Sequence, residues 1–309
     1  MKSILVLSLK AVVSVATLYI VSHSIDWEDV GNMLKGAHYS LMLFALILFW
    51  SAQIISALRY KYIARVLGGS IDLPISLRAH FIGLWFNQVM PTSLGGDVVK
   101  MALLRKQLGW SVSIRSAILD RLSGLLFLLL VTAIVLPLYA NLFSSNIELV
   151  YALGVMALGG MLVIVIGSWL AHCIISSTSL NPFFYNFIKI FSDVWSFKKG
   201  GYLWEQTWTS SIVHFNGIIT YMLLGLAIGV DADFVTFLLV VPIIILIALI
   251  PVSFAGWGLR EAGAVWLFGI VGISNESALA MSISFGLLLV VAGLPGLLIF
   301  SKYISSSVK

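Results

Sequence analysis

Three short clusters put groups capable of chemistry into an otherwise apolar chain: Asp97 and Lys100, three apart; Asp120 and Arg121, adjacent; and Arg260 and Glu261, adjacent. Charges of both signs at such close spacing suit the recognition of an ionic group or the transfer of a proton. Each is expensive wherever hydrocarbon surrounds it, so each must line a cavity or find a partner. Helix-breaking residues precede two of the clusters. Asn87, Pro91, Ser93, Gly95 and Gly96 run up to Asp97, and Pro251, Ser253, Gly256 and Gly258 run up to Arg260. Pro91 lacks an N–H and obstructs the carbonyl of Asn87, and Pro251 does the same to Ile247, so a helix breaks at each. Backbone opened in this way is tolerated at membrane depth only inside protein or beside a water-filled cavity. Past Gly95 and Gly96 a helix restarting near Asp97 would present free N–H groups, a setting for phosphate with Lys100 or Arg105 as counter-charge. Asp97 has two readings there, as the N-cap of that helix or as a ligand and proton site. Arg121 likewise reads as a headgroup anchor or as an anion-binding group, with Asp120 as its ion-pair partner.

The elements that must position these residues are membrane helices. Hydrophobic residues make up 60% of the 309 and charged residues 10%, and mean hydropathy is +1.06, too little charge to cover a soluble domain. Apolar runs fill 3–22, 40–58, 122–140, 147–171, 211–230, 234–254 and 277–300, each near the length that crosses about 30 Å of hydrocarbon. The first resembles a signal peptide, but Lys10 interrupts it and TLYIVSHS offers no small-residue cleavage site, so it is expected to be retained. Cys173 is the one cysteine, which excludes an internal disulfide.

The net charge of +5 does not point to nucleic acid, because nine of the 18 Lys and Arg lie between 59 and 121. By the positive-inside rule that region faces the cytoplasm, as do 172–207 and both termini. Arg59 counts there as a loop charge, and His80 is expected at an interface. Threading the chain leaves 76–106 entering and leaving on the cytoplasmic side, and 234–273 on the other. The first is expected to re-enter, because its apolar pieces are too short to span; for the second, spanning and re-entry both remain open. MPTSLGG at 90–96 and IPVSFAG at 250–256 share the order apolar, Pro, x, Ser, apolar, small, Gly. The expected fold is therefore all-α and integral to the membrane: a polytopic bundle of about seven spans plus two broken, re-entrant hairpins. It forms one domain over 1–309, with inverted pseudo-repeats at 40–140 and 211–300. Interrupted helices in such repeats mark a substrate site near the midplane. His214, Asn216 and Thr220 polarise one span, for packing or for contact with substrate.

The pattern Gly83, Asn87, Pro91, Gly95, Gly96, Asp97, then Leu119, Asp120, Arg121, then Pro251, Ser253, Gly256, Gly258, Arg260, Glu261 resembles the lysylphosphatidylglycerol synthase transmembrane (flippase-like) family, from the second span to the last. Trp257 departs from it, standing where a smaller or branched apolar residue is expected. The resemblance implies movement of a charged lipid between leaflets: an anionic phospholipid or a polyprenyl-phosphate-linked lipid in a prokaryotic inner membrane. The chain ends at Lys309, so no aminoacyl-transferase domain, and hence no lipid lysylation, is expected. The alternatives are a membrane-embedded lipid-modifying enzyme and an accessory subunit of a lipid glycosyltransferase. HExxH, GxxxxGK[ST] and GxSxG are absent from the sequence, and Ser93 and Ser253 have no evident base, so no enzyme, metal or cofactor is expected. The expected partners are a phosphate-headgroup lipid, a lipid-modifying enzyme or glycosyltransferase, and a second copy of the chain.

Overall fold

The computed structural model describes residues 2–23, 25–92, 94–139, 147–177 and 181–307. Among them there are helices and no strands. In order these are α1 (Lys2–Ser22), α2 (Trp27–Lys35), α3 (Tyr39–Val66), α4 (Leu73–Val89), α5 (Gly95–Leu138), α6 (Ile147–Ser177) and α7 (Pro182–Ser192). A 3-10 segment (Asp193–Gly201) leads to α8 (Tyr202–Ala227), α9 (Phe234–Ala248), α10 (Leu259–Ile270) and α11 (Asn275–Ser307). Five helices, α3, α5, α6, α8 and α11, are long and apolar enough to cross a membrane. Lys10–Ser22 of α1 and the whole of α9 form shorter apolar helices.

Both expected breaks are present, and helix length decides the question left open for 234–273. α9 has 15 residues and α10 has 12, about 22 and 18 Å at 1.5 Å per residue, so neither limb crosses a bilayer. Residues 234–254 are therefore not a span, because the helix ends at Ala248. In the first half α4 stops at Val89 and α5 begins at Gly95. The limb 95–108 is about 21 Å long. Gly109, at φ 71° and ψ 164°, then bends α5 into its spanning limb. Only glycine adopts that conformation without strain. The helix expected over 122–140 thus begins near Trp110 and carries Asp120 and Arg121 within it.

The halves carry the same order of elements: long helix, short helix, break, short helix, long helix. They interlock, because α3 packs on α8, α4 on α11, and α9 on α5. Gly96 permits the close approach of α4 and α5, since a Cβ there would strike the carbonyl of Gly83. The chain ends of the helices group as charge patterning requires. Arg115, just past the elbow, pairs with Asp193, and the backbone N–H of Asp26 reaches Glu276 at 3.4 Å. α9 starts at Asp233, whose carboxylate accepts hydrogen bonds from the Thr236 N–H and hydroxyl. Those bonds hold this exposed carboxyl below its usual range. The main apolar core lies in the second half, where Tyr221, Phe237, Phe268 and Phe285 stack at 5.1 to 5.8 Å between centroids. A smaller core, including Tyr60, Ala79, Leu104 and Leu108, joins α3, α4 and α5. α6 lies outermost, with Val155, Met156 and Val163 exposed.

Candidate functional site

Between the two breaks lies a cavity in two connected compartments. The first holds about 230 Å³ and is lined by Arg59, His80, Asn87, Asp97, Lys100, Asp120 and Arg121, among others. The second holds about 270 Å³ and reaches Gly256 and Arg260. Gln53, Leu84, Asn87, Arg121, His214, Ile245 and Leu249 line both, so the compartments meet at a shared wall. Residues of α3, α4, both limbs of α5, α8, α9, α10 and α11 meet there.

The charges of the first compartment alternate in a chain. Arg59 Nε donates to Asp120 Oδ1 at 2.8 Å, and Lys100 Nζ sits 3.5 Å from Asp120 Oδ2. Lys100 also lies 3.2 Å from Asp97 Oδ1, and Arg121 Nε donates to Asp97 Oδ2 at 2.6 Å. Among the described residues three of the lining cations face two carboxylates, one positive charge more than negative. Arg59, Lys100 and Asp120 are buried, whereas the Arg121 side chain keeps 35% of its exposure. Arg121 is the cation that a ligand entering the cavity meets. The ring of Tyr60 lies 4.3 Å under Lys100 Nζ and shields its inner face.

The donors at the start of α5 do not serve an anion. The N–H of Gly95 donates to Thr92 O, the N–H groups of Asp97 and Val98 to Leu94 O, and that of Gly96 to Asn87 Oδ1 at 2.8 Å. With the first turn satisfied internally, the backbone N–H groups expected to hold a phosphate are taken up, and the positive charge near them is that of side chains. Asp97 is not the cap either. Leu94 holds the N-cap position, and the Asp97 carboxylate is engaged by Arg121 and Lys100. Asn87 does the capping from across the break.

The second break is built differently. Glu261 is fully buried; its Oε2 accepts the Gly258 N–H at 2.6 Å, and its Oε1 accepts from Arg260 Nη2 at 2.6 Å and from Ser282 Oγ at 3.1 Å. Arg260 stacks over Trp257 at 4.7 Å, so the residue that departs from the family pattern packs against the site's cation. α1 braces the turn. Ser14 Oγ accepts the Phe254 N–H at 2.8 Å, and a Cβ on Gly258 would strike Thr17. Ala255, at φ 49°, is the one non-glycine residue with positive φ among the described residues.

Of the expected residues, Asn87, Asp97, Lys100, Asp120, Arg121, Gly256 and Arg260 line the cavity. Pro91, Gly95, Gly96, Pro251, Ser253, Gly258 and Glu261 shape the breaks behind it, and Ser93 lies outside the described residues. Arg59 corrects the loop assignment: it is 5% exposed inside α3. His80 corrects the interface assignment, because its Nε2 meets Gln53 Oε1 at 3.0 Å in the cavity wall. His80 Nδ1 and His214 Nε2 are buried without a hydrogen-bond partner, leaving two polar atoms for a guest. Asn216 is a packing residue; its Nδ2 donates to Leu48 O at 2.9 Å, tying α8 to α3. Spacing gave one overlooked clue, since Gln53, Ser56 and Arg59 fall on one helical face. Among the described residues no group of three or more His, Cys, Asp or Glu is arranged to hold a metal ion.

Compared with known protein families, residues 7–296 match the family described as Lysylphosphatidylglycerol synthase TM region. No curated protein matches the chain.

Proposed function

We propose a function from the premise that this chain belongs to the lysylphosphatidylglycerol synthase transmembrane-region family. It is a membrane protein whose role is tied to membrane lipid, and our reading is that it translocates a lipid with an anionic phosphate headgroup. The lipid is a phospholipid or a polyprenyl-phosphate-linked lipid of a prokaryotic inner membrane, and both termini face the cytoplasm. One observation carries this reading: a half-open cavity between two broken helices whose charged groups, among the described residues, sum to one positive charge. An anion entering it meets more cations than carboxylates, and in a low-dielectric site that attraction is worth far more than in water. A headgroup can exchange Asp97 for its own phosphate on Arg121 without stripping Arg121 of a partner. Arg260, reached through the shared wall, offers a second cation toward the opposite break.

The repeated element order supports a rocking mechanism. If 40–140 and 211–300 are inverted repeats, each contributes one break to the cavity, and tilting one against the other opens it to alternate leaflets. The interlocking of α4 with α11 and of α9 with α5 supplies the surfaces on which such a tilt turns.

Purified protein in liposomes tests the reading. Fluorescent phosphatidylglycerol in the inner leaflet should become accessible to an external quencher faster than in protein-free vesicles, and phosphatidylcholine should move at least about tenfold more slowly, the ratio that 1.4 kcal/mol of charge preference gives. Equal rates for the two lipids would count against an anion-selective cavity. No acceleration of phosphatidylglycerol or of a polyprenyl-phosphate lipid would remove the proposal.

A further inference from the structure

A third hollow, of about 360 Å³, lies on the membrane side of the seam between α3 and α11. Its walls are Tyr39, Met42, Leu43 and Leu46 of α3, and Leu287, Leu288 and Val291 of α11, with Leu224 of α8 as the floor. Leu43 and Leu287 stand at its rim, 57% and 54% exposed, so it opens sideways toward hydrocarbon, while Leu224 and Leu288 are buried.

The hollow lies along the same face of α3 as the cavity. Along one face of α3, Tyr39, Met42 and Leu46 line the hollow, Phe49 and Gln53 the second compartment, and Ser56 the first. Their spacing of three and four places them in one stripe, and polarity rises along it from hydrocarbon to the Arg59 guanidinium. On α11, Phe285 and Leu289 face the second compartment while Ser284 and Leu288 face the hollow. The rings of Phe49 and Phe285, edge to face at 6.3 Å, stand at the seam. Beside them the Trp50 Nε1–H donates to Ala292 O at 3.1 Å and pins the two helices together.

One polar group interrupts the apolar lining. Ser284 is 6% exposed and its Oγ has no hydrogen-bond partner. A serine within a helix usually returns its hydroxyl to a carbonyl of the preceding turn. An unmade buried hydrogen bond is costly, so an acceptor that drew the enclosed Ser284 hydroxyl into the hollow would relieve it. An ester carbonyl at the head of a fatty-acyl chain supplies one, and an isoprenoid chain does not.

Resting on the lipid-translocation reading, we infer that the α3–α11 hollow binds an ester-linked acyl chain of the transported glycerophospholipid. Its carbonyl accepts from Ser284, its headgroup lies in the charged cavity, and the Phe49–Phe285 pair is the lateral door between them. The two chemistries of one lipid match the two ends of one continuous stripe.

The test uses the whole protein in phosphatidylcholine nanodiscs and a phosphatidylglycerol probe carrying a photoreactive diazirine in one acyl chain. Labelling should concentrate on 39–46 and 284–291, above that of the lipid-facing surface of α6 around Val155 and Val163. Leu43→Trp, at the exposed rim, and Leu288→Trp, in the wall, should each lower this labelling to the level of the α6 surface, because the added ring fills the space the chain occupies. Binding of glycerophosphoglycerol, which has the head and no tails, should be unchanged in both. Ser284→Ala should weaken labelling by the acyl probe but not by a polyprenyl-monophosphate probe. Labelling no stronger than on α6, or unchanged in both tryptophan variants, would overturn the inference. Stronger labelling by the polyprenyl probe, or no effect of Ser284→Ala, would overturn its acyl-ester assignment. A wild-type protein that moves phosphatidylglycerol with an unlabelled hollow refutes this inference alone. A labelled hollow in a protein that moves no lipid refutes the proposed function instead.

Discussion

The two helix breaks share a motif and use their charges in opposite ways. At 90–97 the acid, Asp97, faces outward into a cavity and is held by two cations, and Arg121, one of those cations, stays partly open. At 250–261 the acid, Glu261, faces inward, closes its own turn through the Gly258 N–H and neutralises Arg260. The first break leaves a charge for a guest, and the second spends its carboxylate on holding itself together. A Pro, a Ser and glycines in a fixed order therefore specify a break, and what lies across from the break specifies its use. Across from the first stand Arg59 and Asp120; across from the second stand Ser282 and the aromatic core around Tyr221 and Phe285.

This contrast can be broken first at Glu261. Glu261→Ala strands Arg260 in a buried site and should cost about 3 to 5 kcal/mol of stability, the usual cost of an uncompensated buried charge. Thermal unfolding of the purified protein in detergent reads the loss, and pairing the change with Arg260→Met should restore most of it. Gly96→Ala comes next. Its Cβ would strike the Gly83 carbonyl, and overpacking of this kind costs about 1 to 3 kcal/mol. The same unfolding measurement should show it, with the carbonyl contact making Gly96→Ala more damaging than Gly31→Ala, where nothing lies in the way.

Lys100→Met sharpens the functional side. It leaves two cations against two carboxylates, and the preference for phosphatidylglycerol over phosphatidylcholine in the liposome assay should fall by about tenfold, the equivalent of 1.4 kcal/mol. An unchanged ratio would mean that the excess charge selects nothing. The smallest effect is expected at Asn216→Ala. That change removes a hydrogen bond between α8 and α3 and should lower stability by about 1 kcal/mol while leaving lipid preference intact. A lost preference would move Asn216 from packing into the site.

Much of this was legible in the residues. Pro91 and Pro251 favour breaks, and the glycines after them mark where the chain turns, so both broken pairs could be placed from the residues, although Pro137, Pro242 and Pro295 stay inside helices. Charge counting put 59–121 with 172–207, and the segment before 38 with Glu276, and each of those pairs is in contact through Arg115–Asp193 and Asp26–Glu276. The partnerships were not legible. Arg59 looks like any basic residue near a helix end, because a one-dimensional count cannot tell a charge that reaches the headgroups from one turned toward Asp120. The free N–H groups expected at Gly95 and Gly96 were lost to Asn87 and to the tight turn at Thr92 and Leu94, which depend on how the two limbs approach. Periodicity also missed the elbow, because a single Gly109 inside a helical pattern carries no signal that it bends the chain rather than merely weakening it.

The central claim is that an anionic headgroup sits among Arg59, Lys100 and Arg121. An experimental structure of the protein in phosphatidylglycerol nanodiscs measures this most directly. The account predicts phosphate density within hydrogen-bonding reach of Arg121, with the Arg59–Asp120 pair still closed behind it. A headgroup bound only at the second break, with Asp97 still joined to both its cations and the first compartment filled by water alone, would contradict it.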